Sequence, residues 1–281
     1  MPIHDQSYRR YEARGPLRSV RFWPITREAL RLILVRRAFL ALLAAGWLPF
    51  IGFVIFFYVV TRFPEAGNVV PVNDTLFGRF FLFQWPMALL LTTFAGAGLI
   101  ANDLRTGAIL VYLSRPLSRR DYVIGKLGVL LALNLSVTLA PGLLLYLVGI
   151  ALAPSRLLKW ELATIAPAIV VYSLAMTVVL SLVALAVSAL SRSARVAGIA
   201  FFGLLVGLEV VRVVLVEVLD KQAVALISLQ ANLRALLALL FDLKEFALPV
   251  HWGFAVLTLT LVGLACLAIL RSRVRAVEIV K

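Results

Sequence analysis

Six long apolar runs decide most of what this chain can become. Ala38 to Val60, Phe80 to Ala101, Tyr122 to about Leu152, Ile165 to Leu190, Val196 to Val216 and Trp252 to Leu270 are close to or beyond the roughly 20 residues an α-helix needs to cross a bilayer. Lipid offers no partners to backbone N–H and C=O groups, so a spanning segment is either a helix or a strand of a closed barrel. Barrel strands read as alternating segments of about ten residues, and these runs are longer and continuous. The chain is therefore predicted to be an all-α polytopic membrane protein with six transmembrane helices. Composition agrees, with 62% of residues hydrophobic and 15% charged, against about 45–50% and about 25% in soluble domains. Pro141, inside the third run, is expected to kink it.

The charges fix an orientation. If residues 1–37 are cytoplasmic, the inner segments (1–37, 102–126, 191–195 and 271–281) hold 20 basic residues and the outer segments hold 7. Arg212, inside the fifth run, completes the 28. This is a strong positive-inside asymmetry, so both termini are expected in the cytoplasm. The formal net charge of +14 is then a property of one membrane face and does not require nucleic acid as a partner.

Two further segments are expected to be helical without spanning. Residues 1–37 form a basic N-terminal segment with nine arginines and no lysine. Within it, Thr26 to Arg37 reads either as an amphipathic interfacial helix, with Ala29, Leu30 and Ile33 opposite Arg27, Arg31 and Arg37, or as a basic tail held by anionic lipid. Residues 223–241 are nearly apolar but carry Gln230, Asn232 and Arg234. A seventh span there would bury a central arginine at roughly 2.5–3.5 kcal/mol and would put Arg271, Arg273 and Arg275 outside. The expectation is an outer-face helix, surface-lying or re-entrant, between helices 5 and 6. Residues 38–281 are read as a single six-helix domain, with no internal repeat or linker.

Between the second and third runs lies Ala101 to Lys126, with five basic residues, two acids and a six-residue apolar island from Ala108 to Leu113. Six residues make a helix of about 9 Å, too short to span and too apolar to sit freely in water. Pro116 stops it, and Ser118 followed by Asp121 is a capping-box start for the next helix. Here the chain resembles the permease subunits of type-2 ABC transporters. Their loop between helices 2 and 3 reads acidic-x-R-x-x-G, an apolar stretch, S-R-P, S-R-R-acidic-Y and G-K. Asp103, Arg105, Ser114, Arg115, Pro116, Ser118, Arg119, Arg120, Asp121, Tyr122, Gly125 and Lys126 follow that order, with Gly107 one step nearer Arg105 than is usual.

The resemblance implies that Asp103, Arg105, Gly107, Arg115, Pro116, Ser118, Arg119, Arg120 and Asp121 belong to a coupling loop touching a separate ATPase subunit. It also implies two ATPase copies carrying ATP and Mg, a second permease subunit, identical or different, and residence in the inner membrane of a bacterium or archaeon. This chain itself has no phosphate-binding loop: Gly125-Lys126 is followed by Leu127 and lacks the earlier glycine. It also lacks metal-ligand and nucleophile motifs, so it is expected to hold no catalytic residue, metal or cofactor and not to be an enzyme.

Ionisable and amide groups inside the runs are the remaining candidates. Glu209 and Arg212 share a helix face at i,i+3, as a self-neutralising pair or as part of a pathway. Gln84 and Asn134 are candidates for a lined pathway, against interhelical hydrogen bonding as the plainer role. Gly203 and Gly207 form a G-x-x-x-G that would suit a dimer face. Two other function classes are compatible with a six-helix bundle. A membrane-embedded lipid-modifying enzyme needs paired acids or histidines at depth, where only Glu209 is found. A secondary transporter or scaffold needs no ATPase.

Overall fold

The computed structural model describes residues 22–62, 74–113, 118–152, 164–219, 222–243 and 252–274. Within them the chain is helical, with no strand, and six helical stretches are long and apolar enough to cross a membrane. The chain is an integral, multi-pass membrane protein. In order, the helices are α1 (Trp23–Leu34), α2 (Arg37–Ala45), α3 (Leu48–Arg62), α4 (Asp74–Thr106), α5 (Ala108–Leu113), α6 (Arg119–Val137), α7 (Leu139–Leu152), α8 (Ile165–Leu190), α9 (Ala194–Leu219), α10 (Leu229–Leu240) and α11 (Trp252–Arg273). A 3-10 turn (Gln222–Ile227) precedes α10. The spans are α2–α3, α4, α6–α7, α8, α9 and α11.

The fourth span has the bounds its sequence suggests, and the others are longer or broken. Asp74–Thr106 extends the second beyond Phe80–Ala101 at both ends, because polar residues continue an established helix where lipid no longer selects against them. The third breaks at Thr138, three residues before Pro141, whose missing N–H leaves the Val137 carbonyl without its helical donor. The first breaks at Gly46–Trp47, where Pro49 in the first turn of α3 lacks the N–H that would bond the Ala45 carbonyl, a signal that the sequence expectation of one unbroken run passed over. The two breaks touch: a Cβ on Gly46 would stand 2.9 Å from Cγ1 of Val137. Gln84 of α4 donates to the Gly46 carbonyl at 2.8 Å, replacing a partner lost at the break.

The centre of the bundle is α8. It packs on α4, α11, α6, α7 and α9, and its alanines and serines allow close approach, as where a Cβ on Gly96 of α4 would come within 2.9 Å of Ala184. Ser188 ties α8 to α4, accepting from Ile100 N–H (3.2 Å) and Ala101 N–H (3.0 Å) and donating to the Ala97 carbonyl (2.8 Å). By contrast α9 turns most of its valines and leucines outward, burying only Ala197, Phe201 and Leu205.

The N-terminal amphipathic helix differs from its expected bounds. It begins at Trp23, with Pro24 in its first turn, and ends at Leu34, because Arg36 is extended (ψ 115°) and Arg37 opens α2. Its inner face is bound to protein: α1 lies on α6, with Ile25 and Thr26 buried. Thr26 donates to the Gly125 carbonyl at 2.9 Å. A Cβ on Gly125 would meet Ile25 at 3.0 Å, and one on Gly128 would meet Thr26 at 3.1 Å. Those glycines are what let two helix backbones come together there.

Candidate functional site

Two polar clusters stand at opposite ends of the bundle. The first gathers around Asp103, near the end of α4. Lys126 of α6 reaches the same carboxylate oxygen at 2.7 Å that Tyr122 contacts through its hydroxyl, also at 2.7 Å. The Lys126 ammonium stands 5.5 Å from the Tyr122 ring centroid and 5.8 Å from that of Tyr112 on α5, and the two rings lie 5.6 Å apart. Lys126 is almost wholly buried. A buried ammonium is tolerable only with a counter-ion and good contacts, and here a carboxylate and two aromatic faces supply them. The arrangement pins α5 against the bases of α4 and α6.

Gly107 joins α4 to α5 with φ of +71°. That left-handed conformation is open to glycine at little cost, and it turns the chain sharply where α4 ends. Among the described residues nothing lies within 4 Å of a Cβ placed there, so it is the backbone conformation that demands glycine. Beyond α5 the expected cap is present. Ser118 Oγ accepts from Asp121 N–H at 3.1 Å, and Asp121 accepts from Ser118 N–H at 3.0 Å. Arg105 is exposed near the end of α4. Arg119 and Arg120 are exposed in the first turn of α6 and line a cleft shared with α11. Arg115 and Pro116 lie outside the described residues.

The second cluster centres on Glu209, ten residues from the Leu219 end of α9, or about 15 Å along the helix. Arg212 binds it with two parallel bonds, Nε to Oε2 at 3.0 Å and Nη2 to Oε1 at 2.8 Å. Ser228, the N-cap of α10, donates to Oε2 at 2.5 Å, and Arg234 of α10 stands 3.6 Å from Oε1. One carboxylate thus serves two guanidinium groups and fastens α10 to α9. The arginine that argues against a seventh span is paired here, and α10 sits among α11, α9, α8 and α4. Behind it Phe241 packs on Phe81 (5.7 Å) and Tyr172 (6.5 Å).

The remaining candidates are placed as follows. Asn134 is fully buried and donates to Thr92 Oγ1 at 2.8 Å, while Thr92 donates to the Ala88 carbonyl at 2.7 Å. Gln84 is likewise buried and bonded across helices. Among the described residues, Gly203 and Gly207 have no neighbour within 4 Å of an added Cβ, so no described element covers that face. Sequence reasoning did not single out Tyr112, Ser228 or Ser188. A Ser just before an apolar helical run is a cap signal that could have found Ser228; nothing in one sequence pairs Tyr112 with Lys126.

Six helices able to cross a membrane, with a short apolar helix pinned across the bases of two of them at the loop after the second span, define a polytopic helical membrane protein. A family model described as "ABC-2 family transporter protein" matches residues 80–271, well over half of the chain. The chain belongs to that family and is a membrane permease of the ABC transporter type. Membership brings with it, in general terms, partnership with an ATPase subunit and dimerisation. A comparison with curated proteins returns no match.

Proposed function

We propose that this chain couples ATP hydrolysis in a separate ATPase subunit to movement of a substrate, in the export direction, through a bundle formed with a second permease subunit. Two ATPase copies hold ATP and Mg beneath the pair, and this chain carries no catalytic residue or cofactor. The termini and the Asp103 end face the cytoplasm of a bacterial or archaeal cell, a reading supported by the 20-to-7 division of basic residues. The exposed valine-rich face of α9, with Gly203 and Gly207, is the surface offered to the second permease.

The observation that carries this reading is the way α5 is held. It turns at Gly107 and is tied to α4 and α6 through Asp103, Lys126, Tyr122 and Tyr112. A push on α5 therefore reaches two spans at once. ATP does work on the bundle only insofar as the ATPase binds it more tightly in one conformation than in the other. The test is purification of the chain with its ATPase and reconstitution in vesicles. Arg115→Glu and Pro116→Ala should leave insertion intact while separating ATP hydrolysis from transport. Normal coupling in both variants, or transport by the chain alone, rejects the proposal.

A further inference from the structure

On the Asp103 side of the bundle, the first turns of α6 and the last turns of α11 enclose a cleft of about 370 Å³. That is within the roughly 300–1,000 Å³ of small-ligand sites. Three arginines line it, Arg119 and Arg120 from α6 and Arg271 from α11. Among the described residues none of them forms an ion pair. One helical turn deeper the lining becomes apolar, with Ile124 on one side and Leu267 on the other. Both are 45% exposed, and Leu264, a turn further along α11, is 58% exposed, so the wall runs directly into the lipid-facing surface.

Three guanidinium groups gathered without a counter-ion among the described residues repel one another, and an anion among them removes that cost. Guanidinium matches the paired oxygens of a phosphate better than an ammonium does. A soluble anion would satisfy the arginines and leave the apolar wall unused; an acyl chain uses both. We propose that this cleft binds an anionic membrane phospholipid, its headgroup phosphate among Arg119, Arg120 and Arg271 and its chains along Ile124 and Leu267. Basic clefts between helices at the cytoplasmic face suit that chemistry. The proposal needs the membrane fold but not the coupling role, so the two can fail separately. It gives Arg119 and Arg120 a lipid where the family resemblance gives them an ATPase.

The test is native mass spectrometry of the purified chain in micelles doped with equal amounts of phosphatidylglycerol and phosphatidylcholine of identical chains. Wild type should retain phosphatidylglycerol in preference. Arg119→Gln/Arg120→Gln/Arg271→Gln should lower that retention by at least about tenfold. Arg192→Gln/Arg195→Gln, in the turn after α8 and the first turn of α9, should leave it unchanged. Leu267→Trp, which fills the apolar wall without altering charge, should also lower retention, and melting curves compared with wild type show that each variant is folded. Equal retention of the two lipids, or unchanged retention in the triple variant, overturns the proposal. So does a triple variant that keeps its lipid but loses its ATPase, which would assign the arginines to the protein partner.

Discussion

Replacing Asp103 by Asn probes the junction on which α5 depends, because it removes one charge and little volume. The Lys126 side chain is 6% exposed and that of Asp103 16%, with 2.7 Å between their charged atoms. Breaking a buried pair by removing one partner costs about 3–5 kcal/mol. The lower end applies, since the two tyrosine faces still attract the ammonium and the amide oxygen still accepts a hydrogen bond. Lys126→Met should cost less, about 1–2 kcal/mol, because Asp103 keeps the Tyr122 hydroxyl and has more access to water. The double variant should then be more stable than Asp103→Asn alone, with a coupling energy of about 2 kcal/mol. Thermal unfolding in micelles can be followed through the five tryptophans. At about 2–4 °C per kcal/mol, Asp103→Asn should melt roughly 6–12 °C lower. Single shifts that add to the double within about 0.5 kcal/mol would show that the two groups act independently, and the account of how α5 is anchored would be wrong.

Other perturbations test neighbouring parts of the argument. Gly107→Ala forces a side chain into a left-handed backbone at a cost of about 1–2 kcal/mol; it should lower melting by roughly 2–8 °C and reduce transport per ATP, and unchanged transport counts against a required turn. Gly128→Leu places bulk against Thr26 and should lift α1 from α6, read as faster thiol labelling of an Ile25→Cys reporter; equal labelling rates would mean the helices are not held by that contact. Glu209→Gln leaves Arg212 facing a neutral partner and should cost about 2–3 kcal/mol in melting experiments, with part of the loss restored by Arg212→Leu, whereas an unshifted melt rejects the ion cluster as a fastener of α10.

Much of this architecture was legible because lipid enforces simple rules. A span must be apolar for about 20 residues, which is why Ile165–Leu190 could be bounded correctly at both ends. The cap at Ser118 was legible too, since its spacing is local. What sequence could not show were meetings between distant residues. The Gly46 break has a local cause in Pro49, but its contacts with Val137 and Gln84, far away in the chain, are not encoded near it. Arg234 looked like an isolated charge until the fold placed it beside Glu209. That Arg119 and Arg120 share a cleft with the end of α11 is likewise something no spacing within the loop encodes.

The contact between the interruptions in the first and third spans has a mechanical meaning. Below it, α1 and α6 are clasped together and α2 follows α1; above it, α3 lies on α7. Each of the two spans crosses that level at its helical break, and the two breaks lie side by side. A lever pulled at the basic end would thus meet a crease already scored into the material, so that the lower storey tilts as a block while the upper one keeps its shape.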